Sequence, residues 1–391
     1  MLKKSLIAIA TLGAFAGSAM AADITISGRI DTGLNFHDWE YKDSNAGVLE
    51  DGNTFQMKSG QYSGSRITIK GSEELGNGMK AGFILENGFD ADDGTFDSNG
   101  DDKMFGREAI VYLEGDFGHF SMGRVGALSS GLGSYNVVYG FTPWGTGWGD
   151  YTGNKGQFML GDRGRMNNTL TYRSPEFAGV KVFAQYSLDA DGQEDEHSGV
   201  NKRYAGLGAT YDLGAFSTGL VVDTTMNGRK DKSGNTEDSL GISWGASYDF
   251  GFTKPMILVQ YGKHENKLGG FGYGEFDGFG ETVTANEGLK GYAVALGAVT
   301  PLMGGNLYTS VNYTDGEFEG DGAIAGGQNV VGDIERWGVG VGYDYPLSKR
   351  TKLYGFVAYN EGEWKQEWSG NGNIKYEQQD IEAGVGLIHY F

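Results

Sequence analysis

The stretch Arg336-Trp-Gly-Val-Gly-Val-Gly-Tyr-Asp-Tyr345 alternates strictly between two kinds of side chain. Such alternation with a period of two predicts a β-strand and not a helix. The second face carries glycine and charged residues, as expected of a wall that meets water on one side and lipid on the other. The apolar face consists of Trp337, Val339, Val341, Tyr343 and Tyr345.

The same alternation recurs along the chain, for example from Leu240 to Phe250 and from Tyr204 to Leu213. We predict sixteen strands, near 24–37, 62–74, 79–89, 104–115, 119–125, 167–173, 179–187, 202–212, 216–224, 239–249, 256–264, 289–299, 305–314, 336–345, 351–361 and 380–391. An even number of strands with short turns at one end and long loops at the other predicts an all-β fold, a transmembrane antiparallel up-and-down β-barrel. The long connections cover roughly 38–61, 90–103, 126–166, 188–201, 225–238, 265–288, 315–335 and 362–379.

The N-terminal residues predict export. Lys3 and Lys4 precede an apolar run, and Ala19-Met20-Ala21 has the pattern of a signal-peptide cleavage site. Residues 1–21 are therefore predicted to be a signal peptide, with an uncleaved anchor helix as the alternative. Residues 22–391 show no linker and are predicted to form a single domain.

The composition narrows the function classes. The chain has 69 Gly, 5 Pro, no Cys and 39% hydrophobic residues, which is low for a membrane protein built from helices. A barrel explains this value, because only every second strand residue has to face lipid. Without cysteine no disulfide can stabilise the fold. The formal net charge of −20 makes nucleic acid a poor partner.

Six segments follow one another from the first mature strand to the last, at 24–34, 65–83, 117–124, 174–179, 347–354 and 386–391. Together they resemble the Gram-negative general diffusion porins. The resemblance implies a homotrimer in the outer membrane of a Gram-negative bacterium, each barrel forming a water-filled channel for passive diffusion of small hydrophilic solutes and ions. It also implies that the third external loop, about 126–166, folds into the lumen and narrows it.

Basic residues are predicted to line one wall of this constriction. Strand parity puts Arg29, Arg66 and Lys70 on the face opposite the apolar residues. By resemblance, Arg66 and Arg124 match constriction arginines, one of Arg163 or Arg165 matches a third, and Arg29 matches a basic residue of the first strand. A rim position paired to a neighbouring carboxylate is the alternative for each. Arginine suits the role because it stays charged and binds carboxylate or phosphate through two parallel hydrogen bonds.

The inward loop departs from the family pattern on its acidic side. It offers only Asp150 and Asp162, and Trp144 stands where the family often has an acid. One outcome is a net positive constriction that prefers anions. Another is a solute-specific porin in which aromatics such as Tyr139, Trp144 and Trp148 form a stacking surface. A third is that these aromatics only pack the loop against the wall.

The external loops have the opposite charge. The long connections hold 35 of the 51 carboxylates and 12 Lys and Arg. This pattern predicts a solvated acidic mouth or, alternatively, Ca²⁺ or Mg²⁺ that bridges to the phosphates of lipopolysaccharide, since hard cations take oxygen ligands. No other cofactor is predicted.

Catalysis is the weakest of the remaining classes. None of the five histidines stands in a Ser/His/Asp or metal-ligand pattern, so the chain is not predicted to be an enzyme. A barrel that serves only as an adhesin or a structural element would need fewer strands. The histidines are His37, His119, His197, His264 and His389.

Overall fold

The computed structural model describes residues 23–44, 47–96, 103–154, 163–192, 201–226, 237–265, 267–268, 271–272, 283–284, 289–322, 329–368 and 372–391. The predicted signal peptide lies outside these residues. No helix within them is long and apolar enough to cross a membrane.

The described residues contain twenty strands. They are β1 (Asp23–Asp43), β2 (Gly47–Ser59), β3 (Arg66–Gly76), β4 (Met79–Gly88), β5 (Glu108–Gly115), β6 (Gly118–Gly126), β7 (Arg165–Arg173), β8 (Val180–Ser187), β9 (Arg203–Leu213), β10 (Phe216–Met226), β11 (Leu240–Tyr248), β12 (Lys254–Glu265), β13 (Lys267–Leu268), β14 (Phe271–Gly272), β15 (Val283–Thr284), β16 (Leu289–Leu302), β17 (Gly305–Gly322), β18 (Asn329–Pro346), β19 (Thr351–Trp368) and β20 (Gly372–Tyr390).

Sixteen of these strands close into an antiparallel barrel, which confirms the predicted fold class. The wall runs from β1 through β3–β12 and β16–β20, and each strand pairs with its neighbour in this order. The ring closes where β20 pairs with β1, from Arg29 opposite Tyr390 to Asp43 opposite Tyr376. Closure leaves no free edge along the ring, as a lipid environment requires.

The turns at one end are tight, as their sequences predict. In Gly76-Asn77-Gly78 all three residues have positive φ, at 86°, 50° and 73°. Glycine adopts this left-handed backbone without strain, and asparagine tolerates it better than most residues. The turn thereby joins β3 to β4 with a reversal of only a few residues.

Three predicted external loops are wrong in part, because strands continue through them. β1 extends to Asp43, and β2 occupies most of the predicted loop 38–61. β17 to β20 pair almost throughout the predicted loops 315–335 and 362–379. Beyond the lipid, the outward face of a strand need not be apolar. The strands therefore remain hydrogen-bonded there, although their sequences no longer alternate between apolar and polar residues.

Candidate functional site

In the connection between β6 and β7, the described residues 127–154 pack against inward-facing positions of the barrel wall. Its first part forms an apolar cluster with strand residues that point away from the lipid-facing side. Val137, Val138 and Tyr139 are buried there, and Tyr139 begins a short 3-10 helix, Tyr139–Phe141. The wall contributes Val221, Leu258, Ala293 and Ala295.

Two tryptophans fix the middle of this loop. Trp144 and Trp148 are only 3% and 2% exposed. The Trp144 indole donates a hydrogen bond to Ser310 Oγ, at 2.7 Å. Both rings pack against Tyr308, and Trp148 also contacts Tyr354 and Phe356. Because Tyr139, Trp144 and Trp148 are buried, their rings offer no open stacking surface, so an aromatic-lined binding constriction is not favoured.

The tip of the loop is held by a buried carboxylate. Glu382 Oε2 accepts hydrogen bonds from the backbone N–H groups of Asp150 and Tyr151, each at 2.9 Å. The Glu382 side chain is 1% exposed. Lys58 Nζ lies 2.8 Å from an Asp150 carboxylate oxygen, and Asn360 Nδ2 donates to the Tyr151 carbonyl, at 3.0 Å. Asp150 thus lies at the wall formed by β2 and β20, with its charge balanced by Lys58.

Arg163 anchors the other end of the loop. Its guanidinium lies 2.6 Å from Asp223 and 2.5 Å from Glu265, and it donates to Ser239 Oγ at 3.3 Å. Burial lowers the pKa of Arg163, but the two carboxylates outweigh burial and raise that pKa above its ordinary value. With 5% of its side chain exposed, Arg163 is a buried structural ion pair. Its place on the basic wall of the constriction stays a prediction, to which the structure adds the ion pair with Asp223 and Glu265.

The loop packs closely against glycines on the inner face of the strands, and we call each of these positions a seat. A Cβ at Gly245 would lie 2.7 Å from Phe141 Cγ, and one at Gly297 would lie 2.6 Å from Pro143 Cγ. At Gly342 it would lie 2.7 Å from a ring carbon of Trp148. The sequence suggests that the inward glycines line a wet lumen, whereas these three lie beneath the loop.

A side chain at such a seat is expected to push the loop off the wall. We expect Gly245→Val to lower the free energy of unfolding by about 1–3 kcal/mol, because overpacking forces neighbours out of place. Equilibrium urea unfolding of the reconstituted barrel measures this change. Gly355→Val is the matched control, since a Cβ there meets Val385 at an ordinary 3.4 Å. Equal losses of unfolding free energy in the two variants would contradict the close contact between Gly245 and the loop.

The inner wall from β1 to β5 carries a group of arginines. Arg29 and Arg66 are direct neighbours in the β1–β3 ladder, and both donate to Ser63 Oγ, at 2.9 and 3.2 Å. Glu86 accepts from Arg66 at 3.3 Å and from Arg107 at 2.9 Å. We name Arg29, Arg66 and Arg107 the arginine ladder. Among the described residues, Glu86 pairs directly with two of the three guanidiniums, those of Arg66 and Arg107. Within this group of four residues, three positive charges therefore face one negative charge.

The other predicted basic residues are placed differently. Lys70 lies in β3 on the same face as Arg66 and is exposed, and Arg165 is close enough to Arg66 to interact with it electrostatically. Arg124 donates to the Gly106 carbonyl and to Asn167 Oδ1, so it holds the end of the second external loop against β7. Asp162 lies outside the described residues.

Arg107 and Glu382 are important residues that the sequence alone did not single out. Arg107 falls inside the predicted strand 104–115, where parity puts it on the apolar face with Val111 and Leu113. In the structure β5 begins only at Glu108, and Arg107 turns to Glu86. Glu382 lies in the last strand on the face opposite Ile381 and Ala383, so its parity did place it inside the barrel. Its partners, Asp150 and Tyr151, are more than two hundred positions away in the chain, and no local pattern connects them.

Acidic residues that were expected to hold cations are only partly described. Asp90, Asp92, Asp93, Asp189 and Asp191 are described, whereas Asp97, Asp101, Asp102 and residues 194–196 lie outside the described part of the chain. Within that part, no group of three or more His, Cys, Asp or Glu is arranged to hold a metal ion. A Ca²⁺ or Mg²⁺ site remains a prediction.

Comparison with known proteins points to one family. A family model described as Gram-negative porin matches residues 6–364. Outer membrane porin protein 32 of Delftia acidovorans is 31% identical over 411 residues, with all of both chains covered. Among solved structures, an anion-selective porin from Comamonas acidovorans matches with a TM-score of 0.61 and 25% identity, covering 95% of this chain and all of the other. OmpT of Vibrio cholerae, solved in a trimer form, matches with a TM-score of 0.53 at 14% identity over 95% of this chain and all of the other.

Proposed function

The chain belongs to the Gram-negative porin family, and on that premise we propose that its channel passes small anions in preference to cations. The protein is an outer-membrane porin that forms a channel for passive diffusion. What we propose beyond this is the sign of its selectivity, the residues that set it, and the partners.

The arginine ladder is the observation that carries the proposal. The described loop contacts the inner wall at β5, β6, β8, β10–β12 and β16–β20. Its tip reaches β2, β20 and the Gln61-Tyr62 segment that follows β2. The passage is then bounded on its other side by the wall that carries Arg29, Arg66 and Arg107. Lys70 and Arg165 add positive charge near it. A ring of arginines at a narrow point favours anions over cations.

In our proposal, the positive charge of the arginine ladder is cancelled neither by the acids of the inward loop nor by those of the external loops. Asp150, the described acid of the loop tip, is paired with Lys58. The acids of the external loops act through open water, where salt screens charges beyond about 8 Å at physiological ionic strength. The narrowest point, where an ion has least water around it, therefore dominates the selectivity. The structurally similar porin of Comamonas acidovorans, described as anion-selective, supports the same sign.

We further propose that the protein works as a homotrimer and has no catalytic role. Trimer formation is supported by the trimer form of the Vibrio cholerae protein of the same fold. The names of the family and its members indicate a channel and not an enzyme. Lipid and lipopolysaccharide of the outer membrane are the proposed partners, the latter through cations at the acidic loops.

Conductance in a planar bilayer under a tenfold KCl gradient tests the function. We expect large steps, grouped in threes, and a reversal potential whose sign corresponds to chloride being more permeant than potassium. A reversal potential of the opposite sign would show that the acidic mouth controls selectivity and would refute the anion preference. Small steps blocked by micromolar sugar would instead indicate a solute-specific porin.

A further inference from the structure

Residues 60–65, between β2 and β3, leave the barrel wall and fold inward. The sequence predicts a strand from residue 62, but β2 and β3 pair with successive parts of β1, and β3 begins only at Arg66. We name residues 60–65 the inner bulge. Its Gln61 and Ser65 are 2% and 1% exposed, and Tyr62 and Ser63 are half-buried. Bulges of this kind redirect side chains that a regular strand would place elsewhere.

Two buried carboxylates of the wall hold the inner bulge. Asp31 Oδ2 accepts a hydrogen bond from the Ser63 backbone N–H at 2.8 Å, and Asp31 Oδ1 accepts one from the Tyr354 hydroxyl at 2.6 Å. Asp344 Oδ2 accepts a hydrogen bond from the Tyr62 hydroxyl at 2.9 Å. Both carboxylates are 0% exposed, so they depend on these donors. The wall therefore fixes where the Ser63 side chain begins.

The inward loop packs on the same bulge. The Gly149 backbone N–H donates a hydrogen bond to the Gln61 carbonyl at 2.7 Å, and the Trp148 and Tyr62 rings have centroids 4.5 Å apart. A Cβ at Gly147 would collide with the Tyr62 carbonyl oxygen, so this close approach needs glycine. The inner bulge thus connects the inward loop to the wall that carries the arginine ladder.

The inner bulge also supplies hydrogen-bond acceptors to two members of the arginine ladder. Ser63 Oγ accepts from Arg29 Nη1 at 2.9 Å and from Arg66 Nη2 at 3.2 Å. The Gly64 carbonyl accepts from Arg66 Nε at 2.9 Å. A hydroxyl oxygen has two lone pairs, so Ser63 can accept from both guanidiniums at once. The two positive groups therefore converge on one neutral atom.

Arg29 and Arg66 need such a shared acceptor, because they are directly opposite in the ladder between β1 and β3. Like charges at opposed positions repel each other, and long side chains lose rotamer freedom when they are held in one place. A carboxylate between them would hold them equally well, but it would also neutralise them. A hydroxyl holds the two guanidiniums and leaves both charges available to a passing anion.

We propose that Ser63 is a positioning residue for anion selectivity, whose hydroxyl holds Arg29 and Arg66 at the narrow point of the channel. The inference rests on the proposed anion preference and names an uncharged residue that sets its size. Without the hydroxyl, the two guanidiniums move apart and away from the path of the ion. An increase from about 4 to about 8 Å between a guanidinium and the ion lowers the preference about twofold per arginine.

Ser63→Ala and Ser65→Ala form a matched pair for the test. Ser65 lies in the same bulge, but its hydroxyl bonds to the backbone of Asp31, at 3.0 Å from the N–H nitrogen. Reversal potentials of full-chain variants in planar bilayers under a tenfold KCl gradient give the permeability ratio of chloride to potassium. We expect Ser63→Ala to lower this ratio about threefold. Ser65→Ala, and Ser63→Thr, which keeps a hydroxyl, should leave it within about 1.5-fold. Heat-modifiable gel mobility confirms that each variant is folded.

The outcomes separate this inference from the proposed selectivity. If Ser63→Ala leaves the ratio unchanged while Arg29→Gln with Arg66→Gln lowers it, the arginines act without Ser63 and the positioning role is wrong. Equal losses in Ser63→Ala and Ser65→Ala would assign the effect to the structure of the bulge and would also overturn the role. If the glutamine pair has no effect either, the proposed part of the arginine ladder in selectivity fails, and this inference with it.

Discussion

Replacing Arg163 with Met is expected to lower the free energy of unfolding by about 3–5 kcal/mol. The substitution removes the only cation directly paired with Asp223 and Glu265 among the described residues, and both carboxylates are at most 2% exposed. Two neighbouring buried charges would then lack compensation, which costs far more than an ion pair in water contributes. Urea unfolding of the barrel reconstituted in phospholipid vesicles, followed by tryptophan fluorescence, measures the loss.

The same variant should disturb the channel, because Arg163 holds the end of the loop that packs on the inner wall. We expect noisier single-channel currents than in the unmodified protein.

The triple variant Arg163→Met, Asp223→Asn, Glu265→Gln should recover most of the stability, since it leaves no charge unpaired. Lys290→Met, which breaks an exposed pair with Glu317, should cost no more than about 1 kcal/mol. A loss at Arg163 no larger than that at Lys290 would contradict the anchoring role.

The barrel could be predicted from sequence because every strand that crosses lipid needs an apolar side chain at each second position. Residues 336–345 show this alternation, and the structure has a strand there. Beyond the membrane this requirement no longer applies: Glu361, Glu363 and Lys365 occupy outward positions of β19 as the ladder continues. The sequence therefore predicts where strands cross the lipid, but not how far they project from it.

The site was less predictable, because its contacts join residues that are far apart in the chain. Arg163 is separated from Asp223 by 60 positions and from Glu265 by 102. No periodicity connects them, so Arg163 was assigned to the pore wall by resemblance alone. Arg29 and Arg66 were easier to place, since strand parity alone sets their direction and the β1–β3 ladder makes them neighbours.

Replacing both Arg29 and Arg66 with Gln is expected to lower the permeability ratio of chloride to potassium by about tenfold. A unit charge about 4 Å from a passing ion contributes about 1 kcal/mol in water, and screening reduces the sum of the two. Reversal potentials in a KCl gradient give the ratio. The effect should shrink at 1 M salt, where the screening length falls to about 3 Å. The lysine pair, Arg29→Lys with Arg66→Lys, keeps the charge and should leave the ratio within about twofold.

Glu86 provides the opposite test at the same place. It accepts hydrogen bonds from Arg66 and Arg107, so Glu86→Gln removes the carboxylate that partly neutralises the arginine ladder. If that ladder sets the selectivity, this single change should raise the chloride preference by up to about fivefold, the value of about 1 kcal/mol. If neither the glutamine pair nor Glu86→Gln alters the ratio, selectivity arises elsewhere. The acidic external loops would then be the region to neutralise next, because they hold most of the remaining charge of the chain.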